Sequence, residues 1–392
     1  MIIEGLKMPE EEIFRRFGNV RKKMSEKDIE LLVVFSGPGS MRYGQRGHVL
    51  YLSGYEPYFG NSMMILPLDT KLEPVLETDS ASYFPPDCTW IKNQVEAGNH
   101  IEVIKDYLAD NSLKPLKIGV AGEYSVSPLF FQRMIEELKP AKIEIVSSIL
   151  EEERMVKSEF ELECMRKTAQ IAKKGFDAAA AFIKPGVTES DVVSEIERVC
   201  REHGSQFFPH HTMVISGKDE KHLEYWWNCG RRKLEAGDPV SIDYGAMYNG
   251  YCSDLCRPFV IGKASDKQKD VVKILVEAQQ AAAEAAKPGV LGSVVDEAAN
   301  KVMEKVWDID EGPSGLGHGV GLEVHEWPFI GYQYMEDDEA YRDTVLEENM
   351  VISMEPMMFF SDTGDFQIED QFVITKDGGV RLNDIPQTIF EV

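Results

Sequence analysis

The stretch Val240-Ser241-Ile242-Asp243-Tyr244-Gly245-Ala246-Met247-Tyr248-Asn249-Gly250-Tyr251-Cys252-Ser253-Asp254 reads as a β-hairpin with an acid on each arm. Asn-Gly is a strong signal for a two-residue turn, because both central residues of that turn take positive φ. With Asn249-Gly250 at the tip, Asp243 falls opposite position 256, and Asp254 lies diagonally from it on the same face. A second acidic hairpin follows 112 and 115 positions later: Glu355 and Glu369 flank Ser361-Asp362-Thr363-Gly364-Asp365 and are equidistant from Asp362. An odd loop of that kind sets the two glutamates directly opposite each other.

The helices upstream repeat as well. An Ala-rich helix, roughly Ser158 to Ile183, runs into Lys184-Pro185-Gly186-Val187, and a second helix follows through about Glu202. Another Ala-rich helix runs into Lys287-Pro288-Gly289-Val290, 103 positions on, and is again followed by a helix, through about Lys305. Pro and Gly end one helix and allow the turn into the next. Helix, helix, acidic hairpin, twice over, describes an α+β domain built from a duplicated unit about a pseudo-twofold axis.

Residues 1–150 have a different texture. Glu10 to Lys27, His100 to Asp110 and Ser127 to Leu138 carry helical spacing, while Leu31 to Phe35, His48 to Leu52, Ser62 to Leu66 and Lys117 to Ala121 read as strands. That alternation predicts an α/β domain. The charged run Glu151-Glu152-Glu153-Arg154 marks the boundary, giving domains 1–150 and 151–392. A length of 392 residues suits two cores better than one. The net charge of −25 speaks against a nucleic-acid partner, which needs clustered Lys and Arg. The first twelve residues lack the basic start of a signal peptide, and no apolar run is long enough for a membrane span. Six cysteines with no C-x-x-C pair fit reduced thiols and a cytoplasmic location. Cys252 and Cys256 share a face with Asp254 under strict alternation and read as packing residues, too far apart along one strand for a disulfide.

The acids carry the chemistry. Both pairs sit in apolar strands, and like charges this close on a buried face are destabilising unless they share a proton or a cation. Four inward carboxylates and one imidazole suit two divalent cations, which lower the pKa of a shared water and polarise a substrate oxygen. The imidazole is His318, in Gly315-Leu316-Gly317-His318-Gly319-Val320-Gly321, where the glycines allow close backbone approach. The oxygen-rich set favours Mn²⁺, Co²⁺ or Fe²⁺ and admits Zn²⁺. His210 and His211, just ahead of a strand, read as structural or pocket-lining.

Ser241-Ile242-Asp243-Tyr244-Gly245, Tyr251-Cys252-Ser253-Asp254, Gly317-His318-Gly319-Val320-Gly321-Leu322-Glu323-Val324-His325-Glu326, Met354-Glu355-Pro356 and Ile368-Glu369-Asp370 occur in that order. Together they resemble the prolidase and aminopeptidase P branch of the superfamily that includes creatinase and methionine aminopeptidase. The resemblance implies a pita-bread fold over about residues 155–392 and a creatinase-like domain before it, where Tyr51-Leu52-Ser53-Gly54-Tyr55 carries the match. It implies Asp243 on one metal, Asp254 and Glu369 bridging both, and His318 and Glu355 on the second metal. Glu355 would also take a proton from the attacking water, and His325 would contact the substrate carbonyl. A homodimer acting on a short peptide or other small molecule is the implied assembly, and hydrolysis of Xaa-Pro bonds the leading activity. The alternative is a relative acting on a small non-peptide, as creatinase, ectoine hydrolase and a dimethylsulfoniopropionate lyase do.

The chain departs from the family's pattern in four places. A second catalytic histidine is expected seven residues after Ser216-Gly217, where Glu224 stands, so His222 takes the assignment, in a loop carrying Trp226 and Trp227. Ser314 replaces a histidine four before His318, Gln367 an arginine two before Glu369, and Met357 a glycine after Glu355-Pro356. Loss of a cation and an imidazole beside the metals predicts weaker cleavage of ordinary Xaa-Pro dipeptides.

Overall fold

The computed structural model describes residues 8–37, 46–57, 59–79, 89–96, 98–217, 229–306, 315–331, 343–360 and 363–392. It divides into two compact units, Met1–Arg154 and Met155–Val392.

The first unit is a six-stranded sheet flanked by helices. Its elements are α1 (Glu10–Glu26), β1 (Leu31–Ser36), α2 (Gly47–Ser53), β2 (Ser62–Pro67), β3 (Val75–Thr78), β4 (Asn93–Glu96), α3 (His100–Asp110), β5 (Lys117–Ala121), α4 (Pro128–Glu137) and β6 (Lys142–Ile145). Strand order is β4-β3-β2-β1-β5-β6, with β1 parallel to β5 and antiparallel to β2. Central β1 and β2 are buried along their whole length, as strands covered on both faces must be. One expectation fails here: His48 to Leu52 is not a strand but lies within α2. Every residue of α2 except Leu50 is buried, so the run has no polar face to reveal a helical period. Gly54, at φ 71°, ends the helix in the left-handed conformation.

After α5 (Ser148–Met155), the second unit shows the duplication directly. Helices α6 (Glu159–Phe182) and α7 (Glu189–Glu202) precede β7 (Met213–Ser216), β8 (Pro239–Tyr244), β9 (Met247–Tyr248), β10 (Tyr251–Cys252) and β11 (Leu255–Val260). Helices α8 (Asp266–Ala285) and α9 (Gly292–Met303) precede β12 (Gly317–Gly319), β13 (Glu326–Ile330), β14 (Val351–Met354), β15 (Met357–Phe360), β16 (Gly364–Gln367), β17 (Asp370–Thr375) and β18 (Gly378–Arg381), and β19 (Phe390–Glu391) closes the chain. Ser158, Thr188 and Ser265 each cap their helix with a reciprocal capping box. Gly186 and Gly289 hold matching left-handed conformations, φ 90° and 87°, and the bridges Thr188↔Lys233 and Leu291↔Val345 follow at equivalent positions.

Each helix pair packs on its own sheet. Ile171, Phe176, Val192 and Ile196 pack with Val240, Ile242 and Phe259 of the sheet β19-β11-β8-β7. Leu275, Ala278, Val295 and Ala299 pack with Ile352, Met354 and Ile374 of the sheet β13-β12-β14-β17-β18. Among the described residues one isolated bridge, Cys256↔Glu369, with Glu369 N–H donating to Cys256 O at 3.2 Å, joins the acid-bearing strands of the two repeats.

Candidate metal centre

The first hairpin turns at Asn249 and Gly250, both at positive φ (52° and 82°), with Tyr248 opposite Tyr251. That register sets Cys256 opposite Asp243. The pairing keeps that register across Ser253, whose N–H donates to Ala246 O at 2.9 Å, so Asp254 lies on the same face as Asp243, diagonally from it as the alternation predicts. Cys252 and Cys256 are fully buried; the Cys256 thiol lies 3.4 Å from Ser241 Oγ, and burial first of all pushes its pKa well up. In the second hairpin, β14 against β17 and β15 against β16 share one register, Met354↔Asp370 and Met357↔Gln367. The interrupted residues between them, Glu355 and Glu369, therefore face each other, while the turn residues 361–362 lie outside the described residues.

His318 sits in the middle of the three-residue strand β12, between β13 and β14. A Cβ on Gly317 would lie 1.9 Å from Ser353 O, and one on Gly319 would lie 2.2 Å from Trp327 O, so the flanking glycines are required by close packing of the strands.

These elements bring the predicted residues together. His318 Nε2 lies 3.4 Å from Glu355 Oε1 and 3.7 Å from Asp254 Oδ2. Glu369 accepts from Ser353 Oγ at 2.7 Å. Gln367 Nε2 donates to Glu355 Oε2 at 3.0 Å and to Glu369 Oε2 at 3.4 Å, so the residue in the expected arginine position pins two of the acids. The His325 ring stands 4.2 Å from that of His318, centroid to centroid. Position 222 and Ser314 lie outside the described residues, as do Trp226 and Trp227.

One histidine at the centre, read from the sequence only as structural or pocket-lining, stands directly beside the acids. His210 Nε2 lies 3.1 Å from Asp254 Oδ1 and 3.6 Å from Asp243 Oδ1. The available signal was its place three residues ahead of Met213, which pairs with Asp243 across β7 and β8.

The electrostatics are those of a crowded anionic pocket. Burial, then the charges of Asp254, Asp243 and Glu355, push Glu369 well above the usual carboxylate range. Burial raises Asp243 to about 7 despite His210 beside it. For Asp254 burial also opposes ionisation, but the facing His210, together with His318 and His325, outweighs it and holds the carboxyl low. Burial would lower His210, yet Asp254 and Asp243 bring it up to about 9. Burial, reinforced by the neighbouring His318, takes His325 down to about 3 and keeps it neutral.

His318 Nε2 is buried and has no hydrogen-bond partner, although carboxylate oxygens stand on either side. Its Nδ1 faces Gly319 O at 3.1 Å, and a carbonyl only accepts, so the proton sits on Nδ1 and a lone pair is presented by Nε2. An orphaned buried lone pair among acids is the donor arrangement a cation completes. Three sets of side chains could each hold one: Asp254, His318 and His325; His210, Asp243 and Asp254; and His318, Glu355 and Glu369. Four carboxylates match the charge of two divalent ions, so the residues fit a pair of them.

Known proteins point the same way. Residues 163–376 match Metallopeptidase family M24, and residues 16–156 match the creatinase/prolidase N-terminal domain. An Xaa-Pro dipeptidase of Pyrococcus horikoshii is 30% identical over 363 residues, 92% of this chain and 94% of that protein. Among solved structures, an X-Pro aminopeptidase from Thermotoga maritima superposes with a TM-score of 0.82 at 28% identity, covering 96% of this chain and 99% of that one. A prolidase from Pyrococcus horikoshii does so with 0.79 at 27%, covering 95% and 99%. The pita-bread architecture with a creatinase-like N-terminal domain is thereby established, and the chain belongs to metallopeptidase family M24, a family of metal-dependent hydrolases.

Proposed function

We propose that this metallopeptidase hydrolyses the Xaa-Pro bond of dipeptides or short peptides at a centre of two divalent ions held by Asp243, Asp254, His318, Glu355 and Glu369. The orphaned His318 Nε2 among four acids carries the reading of the site. The substrate class rests on relatives named as Xaa-Pro peptidases that match over nine-tenths of this chain, which favours peptides over the small non-peptide alternative. When bound, such ions supply a water activated near neutral pH and a Lewis acid for the scissile carbonyl.

The chain's own residues do the rest. Glu355 takes the proton of the attacking water, its carboxylate held in place by Gln367 Nε2 at 3.0 Å. His325, neutral and packed on His318, positions the scissile carbonyl. Ile215, Met357, Phe359 and Phe366, with the polar Ser241, Asp365 and Gln367, line an adjoining pocket whose apolar side suits a proline ring. His222 keeps its assignment as a further catalytic histidine on sequence grounds alone. The ions are Mn²⁺, Co²⁺ or Fe²⁺, with Zn²⁺ admitted, as the oxygen-rich donor set favours. A homodimer is expected from the resemblance to prolidases. A cytoplasmic setting fits the free state of Cys164, Cys200, Cys229, Cys252 and Cys256. No helix among the described residues is long and apolar enough to cross a membrane.

The test is metal-loaded protein offered Xaa-Pro dipeptides, longer peptides with proline second, Xaa-Ala controls, and creatine, ectoine and sulfonium compounds. Cleavage confined to Xaa-Pro bonds is expected, and turnover of only a non-peptide compound would overturn the substrate class.

A further inference from the structure

We propose that His210 is a sixth metal ligand, closing the Asp243–Asp254 side of the centre through Nε2 as His318 closes the Glu355–Glu369 side. The proposal rests on reading the acid cluster as a metal centre and adds to it a donor that the five-residue set does not contain.

Three observations carry it. His210 Nε2 stands 3.1 Å from Asp254 Oδ1 and 3.6 Å from Asp243 Oδ1, and these ligating atoms form one of the sets able to hold an ion. Metal–ligand bonds of ~2.1 Å put neighbouring donors roughly 3.0–3.4 Å apart, so the contact with Asp254 has the spacing of donors around a common ion and that with Asp243 is slightly wider. Second, His210 Nδ1 faces the carbonyl of His211 at 2.9 Å, just as His318 Nδ1 faces the carbonyl of Gly319 at 3.1 Å. A carbonyl only accepts, so Nδ1 carries a proton in both rings and Nε2 is the atom turned toward the carboxylates; at His210 the Nε2 proton that bonds to Asp254 Oδ1 at 3.1 Å is the one a bound ion would replace. This backbone-anchored tautomer is how metal-binding histidines are generally held. Third, Asp254 divides its two oxygens, Oδ1 toward His210 and Oδ2 toward His318. That split is what a carboxylate shared between two ions, each with its own imidazole, requires.

The duplication does not generate this residue. The residue of β7 and β8 equivalent to His318, by its pairing with Ser353, is Ile215, which pairs with Ser241. His210 reaches the same centre from the segment before β7, so the two imidazoles are not symmetry mates. The consequence is an ion pair with nitrogen on both sides, which shifts preference from Mn²⁺ toward Co²⁺, Fe²⁺ or Zn²⁺. The competing role is an imidazolium that merely pairs with Asp254.

Metal-free protein is titrated with Co²⁺, followed by bound-metal analysis and by proton NMR of the paramagnetically shifted, solvent-exchangeable imidazole N–H signals. Wild type is expected to take up two ions and show one such signal from His318 and one from His210. His210→Gln should lose one signal and bind one of the two ions at least ~10-fold more weakly. His325→Ala should keep both signals. Wild-type spectra need no variant to fold, so the signal count stands by itself. One shifted signal in wild type, a second signal lost in His325→Ala, or unchanged affinity for both ions in His210→Gln overturns the sixth ligand and leaves the five-residue centre intact. No uptake of Co²⁺ by wild type overturns the metal centre itself.

Discussion

Glu369 and Asp370 are consecutive and buried to the same degree, at 1% and 0% exposure, yet their surroundings have opposite character. Asp370 receives Arg257 Nη2 at 2.6 Å, Asn383 Nδ2 at 2.7 Å and Gln387 Nε2 at 3.2 Å, with Arg381 Nη1 3.6 Å away. Arg257 spends its remaining donors on the carbonyls of Cys256, Glu369, Ile385 and Pro386. Glu369, on the opposite face of the strand, receives a serine hydroxyl and a long contact from Gln367, and otherwise faces Asp254, Asp243 and Glu355. Burial alone therefore does not mark a functional acid. One carboxylate is neutralised by the protein, and the other is left in a pocket of its own sign.

The sharpest way to break this contrast is at the balanced end. Asp370→Ala leaves the buried Arg257 guanidinium without its counter-charge, which costs about 3–5 kcal/mol of stability. Denaturant unfolding measures it, and a loss under ~1 kcal/mol would mean that Arg257 finds other partners. Glu369→Gln works the other way: metal-free protein should melt at a higher temperature, because a carboxylate held against three others is removed. The metal-loaded variant should lose roughly 10²–10³-fold or more in kcat, as should Asp254→Ala. Near-native turnover in either would remove it from the ligand set. Mass action sharpens the same point. At free metal 100-fold above its Kd, wild type should gain ~2.7 kcal/mol from each ion, and Glu369→Gln much less.

How far the sequence revealed this arrangement depended on how local each signal was. Asn249-Gly250 set one register and the spacing about Asp362 the other, and both survive in the structure because turn length fixes pairing. The repeat of Lys-Pro-Gly-Val was legible because the same helix break recurs with the same left-handed glycine. His48 to Leu52 misled because burial on all sides erases the helical period. His210 reads only as structural or pocket-lining because nothing local distinguishes a histidine ahead of a strand; its contact with Asp254 spans 44 residues of sequence. Asp370 and Glu369 look alike in the sequence for the same reason, since Arg257 lies 113 residues before its partner.

Smaller effects probe how substrate meets the centre. His325→Ala should slow turnover by ~10-fold or more while metal content stays at the wild-type value, since its ring packs on His318 without entering the five-ligand set. Loss of metal in that variant would make it a ligand. The smallest expected change is at Gln367, where the sequence departs from an arginine. A neutral amide there donates to Glu355 and Glu369 and lines the pocket beside Ser241, Met357 and Phe359. Because it already pins the acids, the missing arginine costs less than the loss of a charged contact would suggest. What Gln367 lacks is a charge for the carboxylate of a dipeptide. Gln367→Arg can keep the contact with Glu355 and direct another N–H into the pocket, which predicts a fall in KM for Gly-Pro of roughly 5- to 10-fold, about 1 kcal/mol, with kcat little changed. Longer peptides, whose carboxylate lies further from the scissile bond, should gain nothing. An unchanged KM would show that Gln367 serves only to hold Glu355 and Glu369, and that the carboxylate of the substrate is recognised elsewhere.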